Sequence, residues 1–346
     1  MDSEGSKTPG LPPGTVVHTG KAREEPVRIV SICYDADGYD ATEYRDVTEF
    51  LAETCTRKHR WVHVYGVHDV NALEVVGRKF QIHPLVIEDI ANTTQRPKVD
   101  MFSDGAYVVL RSFQCSDIAS TVESEQVSIM LKRNLLLSFQ ESDEPIFLPV
   151  TERLSNPNGR LRNSGSDYLA YALMDMIVDE YFRVLERLSE TLQELEDELI
   201  HNPSYEMLTD IYRLKRTYIT LRRHIWPLQE VAFRIHRDQT TLIDADTQLY
   251  LRDLHDHVTR VADYIETGRD SITSMVDIYL SSMSNKMNEV MRMLTVVSAI
   301  FIPLTLMASI WPLPQIDWPL SYPVFMTISA TLTLALLAHF RRMEWV

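Results

Sequence analysis

The stretch MLTVVSAIFIPLTLMASIW, residues 293–311, contains 19 consecutive residues without a charge. A second run, WPLSYPVFMTISATLTLALLAHF at 318–340, contains another 23. As a helix, each is long enough to cross a hydrocarbon layer of about 30 Å. A buried helical hairpin of a soluble core is the alternative, but two such segments in succession favour a membrane. We therefore predict two transmembrane helices at 293–311 and 318–340.

Basic residues flank these segments on one side only. Arg292 precedes the first, Arg341 and Arg342 follow the second, and the link between them carries only Asp317. Cytoplasmic flanks are enriched in Arg and Lys. Both termini are therefore predicted to be cytoplasmic, with residues 312–317 as an outer loop and residues 341–346 as a cytoplasmic C-terminus.

The preceding residues divide by pattern into three parts. Residues 1–24 are polar and rich in Pro and Gly, which predicts a flexible tail. Residues 25–165 alternate between β-branched runs and helical spacing, which predicts an α/β cytoplasmic domain. Residues 166–292 have apolar residues at steps of three and four, which predicts a cytoplasmic helical stalk. Its last helix joins the first membrane segment, and about 70 helical residues would span about 105 Å.

Charge and cysteine content exclude some classes of function. The net charge of −15 belongs entirely to residues 1–292, because residues 293–346 sum to zero. An acidic soluble part argues against nucleic acid as a partner and is compatible with cation binding, although solubility alone also accounts for it. The three cysteines have no CxxC spacing, which indicates neither a disulfide framework nor a thiolate metal site and suits a reducing compartment.

A stripe of mostly small or polar residues runs along the last stalk helix into the first membrane segment. Its steps of three, four and seven keep it on one helix face. Its members are Asp277, Ser284, Asn288, Met291, Thr295, Ser298, Ile302, Thr305 and Ser309. Such a face either packs closely against other helices or lines a water-filled path. Two membrane segments cannot enclose a pore, so the second interpretation requires an oligomer, and the charged and amide residues favour it.

The common catalytic motifs are absent from the sequence, so an enzyme is not predicted. The tract His255-Asp256-His257 has the composition of a metal site. Residues two apart on a helix point in different directions, so these side chains are expected on a solvated helix surface. His63, on a predicted strand, is interpreted in the same way.

Seven segments stand in order along nearly the whole chain. They are GLPPGTVVHTGK (10–21), IHPLVIEDIANTTQRPKVD (82–100), ESEQVSIML (123–131), DYLAYALMDMIVDEYF (167–182), IWPLQEV (225–231), DIYLSSMSNKMNEVM (277–291) and FIPLT (301–305). In sequence, order and spacing they resemble the CorA family of magnesium and cobalt transporters. The resemblance implies a funnel-shaped homopentamer in the cell (inner) membrane. It also implies that divalent cations, Mg²⁺ first and Co²⁺ or Ni²⁺ with it, are transported.

The resemblance further implies that divalent cations bind between neighbouring cytoplasmic domains and close the channel. The matching positions are Asp89 and Asp253, with Glu88 and Asp175 either around that ion or at a second metal site. Carboxylates suit Mg²⁺, which prefers oxygen ligands and retains much of its water. The pore-lining positions that match are Asp277, Asn288, Met291, Leu294, Thr305 and, altered here, Ile302.

The chain departs from the family at the predicted outer mouth. The family has Gly-Met-Asn there, whereas this chain has Pro312, Leu313 and Pro314. Leu and Pro side chains offer no hydrogen bond to a hydrated ion. Three hypotheses follow: a Mg²⁺ channel gated by divalent cations, the same pentameric pore with altered cation selectivity, and a non-conducting cation sensor.

Overall fold

The computed structural model describes residues 10, 12–20, 25–115, 122–201, 203–237, 242–310 and 321–343. The chain forms two compact units. The first comprises Met1–Leu195 and Thr209–Thr273, and the second comprises Glu196–Leu208 and Ser274–Val346. The first unit therefore contains residues 166–195 and 209–273 of the predicted stalk together with the predicted α/β domain.

One seven-stranded sheet forms the centre of the first unit. Its strands are β1 (Arg28–Tyr34), β2 (Tyr39–Tyr44), β3 (His59–Tyr65), β4 (Lys98–Met101), β5 (Gly105–Cys115), β6 (Val122–Lys132) and β7 (Leu135–Gln140). The spatial order is β2-β1-β3-β7-β6-β5-β4. The pairing of β3 with β7 is parallel and the other pairings are antiparallel. The mixed sheet arises because the chain leaves β3, forms helices and a three-strand meander, and then returns beside it.

Eight α-helices accompany the sheet in the described part of the chain. They are α1 (Val47–Ala52), α2 (Val70–Lys79), α3 (Pro84–Ala91), α4 (Leu148–Ser155), α5 (Ser166–His201), α6 (Tyr205–Arg237), α7 (Ala245–Ile310) and α8 (Ser321–Arg342). Helix α7 has 66 residues and continues through Pro303. The long helix predicted to join the stalk to the first membrane segment is thus a single element.

Helix α3 holds two predicted metal ligands at its less buried side. Its first turn is capped by His83, whose Nδ1 accepts a hydrogen bond from the Leu85 N–H at 3.2 Å. Pro84 at the first helical position has no N–H that would need a partner. The buried residues of α3 are Val86, Ile87, Ile90 and Ala91. They belong to the main hydrophobic core with β3, β5 and β7, which leaves Glu88 and Asp89 at the partly exposed face.

The segment 12–20 is attached to the end of α3. The Thr19 N–H donates to the Ala91 carbonyl at 3.2 Å, and Thr19 Oγ1 donates to Asn92 Oδ1 at 2.6 Å. Residues 12–20, which belong to the predicted flexible tail over residues 1–24, are thus tied to α3 through Thr19. Their polar groups find partners on a neighbouring helix, and composition alone did not indicate this.

Cys33 and Cys55 form a disulfide, which the sequence analysis did not predict. Cys33 lies near the end of β1. Cys55 lies 22 residues later in the sequence, shortly after α1. The turn through β2 and α1 brings the two together, and cysteine spacing alone carries no information about such a turn. Cys115 is a free, half-buried thiol.

Helices α7 and α8 contain the two apolar segments. The most apolar 18-residue stretch has a mean hydropathy of 1.9 in α7 and 1.6 in α8, and only 6% of each stretch is buried within the chain. A hairpin in a soluble core would be covered by other residues, so this burial argues against that alternative. The described helices end at Ile310 and begin again at Ser321. The predicted outer loop at 312–317, with Pro312, Leu313 and Pro314, lies outside the described residues.

Candidate metal centre and pore helix

The Asp89 carboxylate is held by two side chains of its own chain. Oδ1 accepts a hydrogen bond from Gln95 Nε2 at 2.6 Å, and Oδ2 accepts one from Lys98 Nζ at 2.6 Å. The Asp89 backbone carbonyl accepts another from Gln126 Nε2 on β6 at 3.1 Å. The carboxylate is 20% exposed. Asp89 is therefore fixed in position and still reachable from solvent.

Glu88 has a structural contact of its own. Its Oε2 accepts a hydrogen bond from the Gly14 N–H at 2.6 Å. The predicted ligand Glu88 thus also fixes the segment 12–20 to α3.

A second cluster joins α5 to α7. Asp175 and Asp179 of α5 and His257 of α7 each offer a ligand atom, and these atoms all lie within 4.8 Å of one another. His257 Nδ1 is 3.9 Å from Asp175 Oδ1. Its Nε2 is 3.5 Å from Oδ2 of Asp253, which is 59% exposed. The imidazole therefore connects two of the predicted ligands, Asp175 and Asp253.

The expectation of a solvated surface is wrong for His257. The ring is half-buried and packs edge-on against Phe182 of α5, with 6.0 Å between ring centroids. Sequence reasoning compared His257 only with its neighbours in the tract and missed both His257 and Asp179. A signal was available, because Asp175 and Asp179 lie at i and i+4, as do Asp253 and His257. Residues at that spacing share a helix face.

The electrostatics of this cluster favour a cation. Burial, and then the nearby Asp179 carboxylate, raise the pKa of Asp175, although a hydrogen bond with Tyr171 and the charge of His257 oppose the rise. Two close carboxylates destabilise each other when both are ionised, and a positive ion between them removes that cost. Carboxylate oxygens suit Mg²⁺, whereas an imidazole nitrogen suits Co²⁺, Ni²⁺ or Zn²⁺. The residues therefore fit a divalent cation.

The predicted regulatory ligands are only partly brought together within one chain. Among the described residues, Asp175, Asp179 and His257 form the one group of three ligand-type side chains near enough for a single ion. That group does not include Asp89 or Glu88. A site that combines Asp89 with Asp253 across a subunit boundary remains a prediction.

The predicted pore-lining residues are exposed on α7. All of them except the half-buried Ser298 are exposed, where the structure describes their side chains. They are Asp277, Ser284, Asn288, Met291, Leu294, Thr295, Ser298, Ile302, Thr305 and Ser309. Apolar residues on other faces, such as Phe301, are exposed as well.

Hydroxyl groups along this stripe are satisfied by their own helix. Thr295 Oγ1 donates to the Met291 carbonyl at 2.7 Å. Thr305 Oγ1 donates to the Phe301 carbonyl at 2.8 Å, and Ser309 Oγ donates to the Thr305 carbonyl at 2.8 Å. Such bonds let a hydroxyl stay in an apolar layer without a partner on another helix. Each oxygen keeps acceptor capacity for water or a hydrated ion.

His63 is also not at the surface, contrary to expectation. It is buried in β3, and its Nδ1 is 2.6 Å from Ser138 Oγ. Burial lowers the pKa of His63 to about 3. His63 is therefore a neutral core residue.

Three comparisons with known proteins agree with this architecture. The family model described as CorA-like Mg2+ transporter protein matches residues 56–342. The chain is 39% identical over 342 residues to the cobalt/magnesium transport protein CorA of Thermotoga maritima, with 97% of each chain covered. It is 24% identical over 294 residues to the protein of the same name from Methanocaldococcus jannaschii, with coverage of 83% and 91%.

Among solved structures, the complete CorA magnesium transporter from Methanocaldococcus jannaschii matches with a TM-score of 0.76. It covers 92% of this chain and 98% of that one at 20% identity, which shows a shared fold. The predicted fold class, an α/β domain with a long helix and two apolar helices, is confirmed. The sequence matches extend over nearly the whole length, so the predicted relationship is confirmed too. The chain belongs to the CorA-like Mg2+ transporter family.

Proposed function

We propose that the chain is one subunit of a homopentameric membrane channel for divalent metal cations, with Mg²⁺ as the principal ion and Co²⁺ and Ni²⁺ as further ions. The observation that carries this proposal is the polar stripe of α7, in a chain that belongs to a transporter family. Isolated subunits cannot enclose a path, and five copies of α7 can.

The pore is lined by the residues of the stripe together with Leu294. Asp277 and Asn288 offer a carboxylate and an amide oxygen, which are ligands for a hydrated cation. Both termini lie in the cytoplasm, and the link between α7 and α8 lies outside the cell membrane. The basic residues around the two apolar segments support this orientation.

Divalent cations regulate the channel from the cytoplasmic side. A cation held between Asp89 of one subunit and Asp253 of its neighbour, with Glu88 and Asp175 close by, favours the closed state. When the cation leaves, the carboxylates repel one another and the closed packing loses stability. The half-buried Asp175 and the exposed Asp253, linked through His257, support a site that can bind cations from solution.

A second candidate is the same pore with a different cation selectivity. The family resemblance predicts Gly-Met-Asn at the outer mouth, and this chain has Pro312, Leu313 and Pro314 there. Their side chains cannot bind the water shell of Mg²⁺. Selection would then depend on Asn288 and Asp277, and other divalent or monovalent cations would pass.

Flux into proteoliposomes tests these proposals. The unaltered protein and the triple variant Pro312→Gly, Leu313→Met and Pro314→Asn are compared for Mg²⁺, Co²⁺, Zn²⁺ and Na⁺. Saturable Mg²⁺ entry by the unaltered protein supports the first proposal. Entry of another ion in place of Mg²⁺, or Mg²⁺ entry restored by the triple variant, supports the second. No flux of any ion through either protein overturns both and leaves a non-conducting sensor.

The double variant Asp89→Asn and Asp253→Asn tests regulation separately. Amides keep the size of the side chains and remove their charges. We expect internal Mg²⁺ to inhibit flux through the unaltered protein and not through this variant. Inhibition with an unchanged midpoint would overturn the regulatory site.

A further inference from the structure

Lys98 forms an ion pair with Asp89 within the same chain. Lys98 Nζ lies 2.6 Å from Asp89 Oδ2 and 3.1 Å from Asp100 Oδ2. It is the first residue of β4, and the antiparallel pairing of Lys98 with Val109 of β5 fixes its backbone. Lys98 is therefore held in place by the sheet, with its ammonium group next to α3.

Both oxygens of Asp89 have a donor from their own chain. Gln95 Nε2 binds Oδ1, and the Lys98 ammonium binds Oδ2. A Mg²⁺ ion approaching Asp89 needs acceptor oxygens for itself or for its bound water. It meets instead an ammonium group at hydrogen-bond distance from the same carboxylate. A metal ion and Lys98 therefore compete for Asp89.

The Lys98 ammonium group also has a second carboxylate, that of Asp100, within reach. The side chain is 32% exposed, and Nζ lies 5.8 Å from the centre of the Tyr107 ring. The ammonium group can thus leave Asp89 and remain paired with Asp100, which is 46% exposed.

We propose that Lys98 is a built-in competitor of the regulatory cation. It occupies Asp89 when divalent cations are scarce, and a bound cation displaces it towards Asp100. Its presence raises the cation concentration at which the channel closes, and so sets the range in which the regulatory site responds. This inference rests on the proposed regulatory role of Asp89.

The test is a Lys98→Met variant of the full-length protein in proteoliposomes. Methionine keeps the unbranched apolar part of the side chain and removes the charge. We expect the midpoint of inhibition by Mg²⁺ to fall by up to about fivefold, the equivalent of losing one partly exposed ion pair. Lys98→Arg keeps the charge, and its midpoint should stay within about twofold of the unaltered value.

Arg96→Met is the matched control. Arg96 is an exposed cation two residues from Lys98, so this variant removes the same charge from the same segment. Its midpoint should remain near that of the unaltered protein. A shift as large as that of Lys98→Met would mean that local charge alone accounts for the effect, and would overturn the role of the direct contact.

Each remaining outcome also has one meaning. An unchanged or higher midpoint in Lys98→Met, with regulation lost in the Asp89→Asn and Asp253→Asn variant, overturns the competitor role and leaves the regulatory site intact. Unaltered regulation in the double variant removes the regulatory site and this inference with it. Should Lys98→Met fail to assemble, Lys98→Gln provides the same comparison with a polar side chain.

Discussion

His257 lies between carboxylates that come from two different helices. At the residue scale, its position shows why a candidate metal centre is difficult to find in a sequence. The spacings of Asp175 with Asp179 and of Asp253 with His257 place each pair on one helix face. No pattern in the sequence indicates that the face of α5 with the first pair packs against the face of α7 with the second. The predicted ligands Asp175 and Asp253 could be named from the resemblance, whereas Asp179 and His257 required the packing of the helices.

Replacing His257 should change the preference among metals. In His257→Ala, we expect the affinity for Co²⁺ and Ni²⁺ to fall about tenfold, because a nitrogen ligand preferred by these ions is lost. The affinity for Mg²⁺, which prefers oxygen ligands, should change little. Titration calorimetry of the full-length protein in detergent measures both. His255→Ala is the control, and an equal loss for all three ions would contradict the prediction.

Burial of His63 should make the protein sensitive to acid. Its pKa is about 3 in the folded chain and about 6.5 when unfolded. Below pH 6.5 the unfolded chain therefore binds a proton that the folded chain does not bind. Stability falls as the pH drops from about 6.5 towards 3, with a slope of up to about 1.4 kcal/mol per pH unit for this group.

The variant His63→Phe removes this group and keeps a ring against Phe147, whose centroid lies 5.4 Å away. Thermal unfolding between pH 6.5 and 4.5 should show a smaller loss of melting temperature than in the unaltered protein. His236→Gln, at a half-exposed position, is the control. An identical loss in His63→Phe would mean that other groups govern the acid response.

At the scale of elements, α6 and α7 approach closely at one glycine. A Cβ atom added to Gly268 would lie 2.2 Å from Cε1 of Tyr218, a residue that is 2% exposed. Non-bonded carbon atoms lie about 3.5–4.0 Å apart, so the ring would have to move. The single glycine between Thr241 and Trp311 thus marks a contact between two long helices.

Gly268→Ala should destabilise the protein by about 1–3 kcal/mol, the usual cost of overpacking. Without Tyr218 the sign should reverse, because alanine favours a helix over glycine by about 1 kcal/mol. The melting temperatures of Gly268→Ala, Tyr218→Leu and the double variant form a double-mutant cycle. It gives the effect of Gly268→Ala with and without the tyrosine ring. Destabilisation by Gly268→Ala in both backgrounds would contradict the proposed contact.

Local elements were more predictable than their pairing. Strands such as β3 and β6 could be predicted from runs of β-branched residues, and the long helices from the spacing of their apolar residues. The parallel pairing of β3 with β7 joins residues far apart in sequence, and no local pattern encodes it. The Cys33–Cys55 disulfide and the attachment of residues 12–20 to α3 escaped prediction for the same reason.

At the scale of the whole molecule, the pentamer and the site between subunits are open to a direct test. We expect the double variant Asp89→Cys and Asp253→Cys, made together with Cys115→Ser, to be linked by a short bismaleimide into ladders of up to five subunits. The reason is that one cation can contact both positions only if they lie close together across the boundary.

Each single cysteine variant, also with Cys115→Ser, serves as the control and should give little beyond monomer. Denaturing gel electrophoresis of membranes separates the products. Links that form only within one subunit would contradict a site between subunits. Ladders that stop below five would contradict the pentamer.

The parallel pairing of β3 with β7 also has a consequence for biosynthesis. The centre of the sheet cannot close until Gln140 has left the ribosome, because β7 must lie beside β3. The first apolar segment begins only at Met293, about 8–30 s later at a translation rate of 5–20 residues per second. The sheet therefore has time to close before the ribosome delivers any segment that the membrane would accept. Insertion begins with a chain whose sheet is already closed.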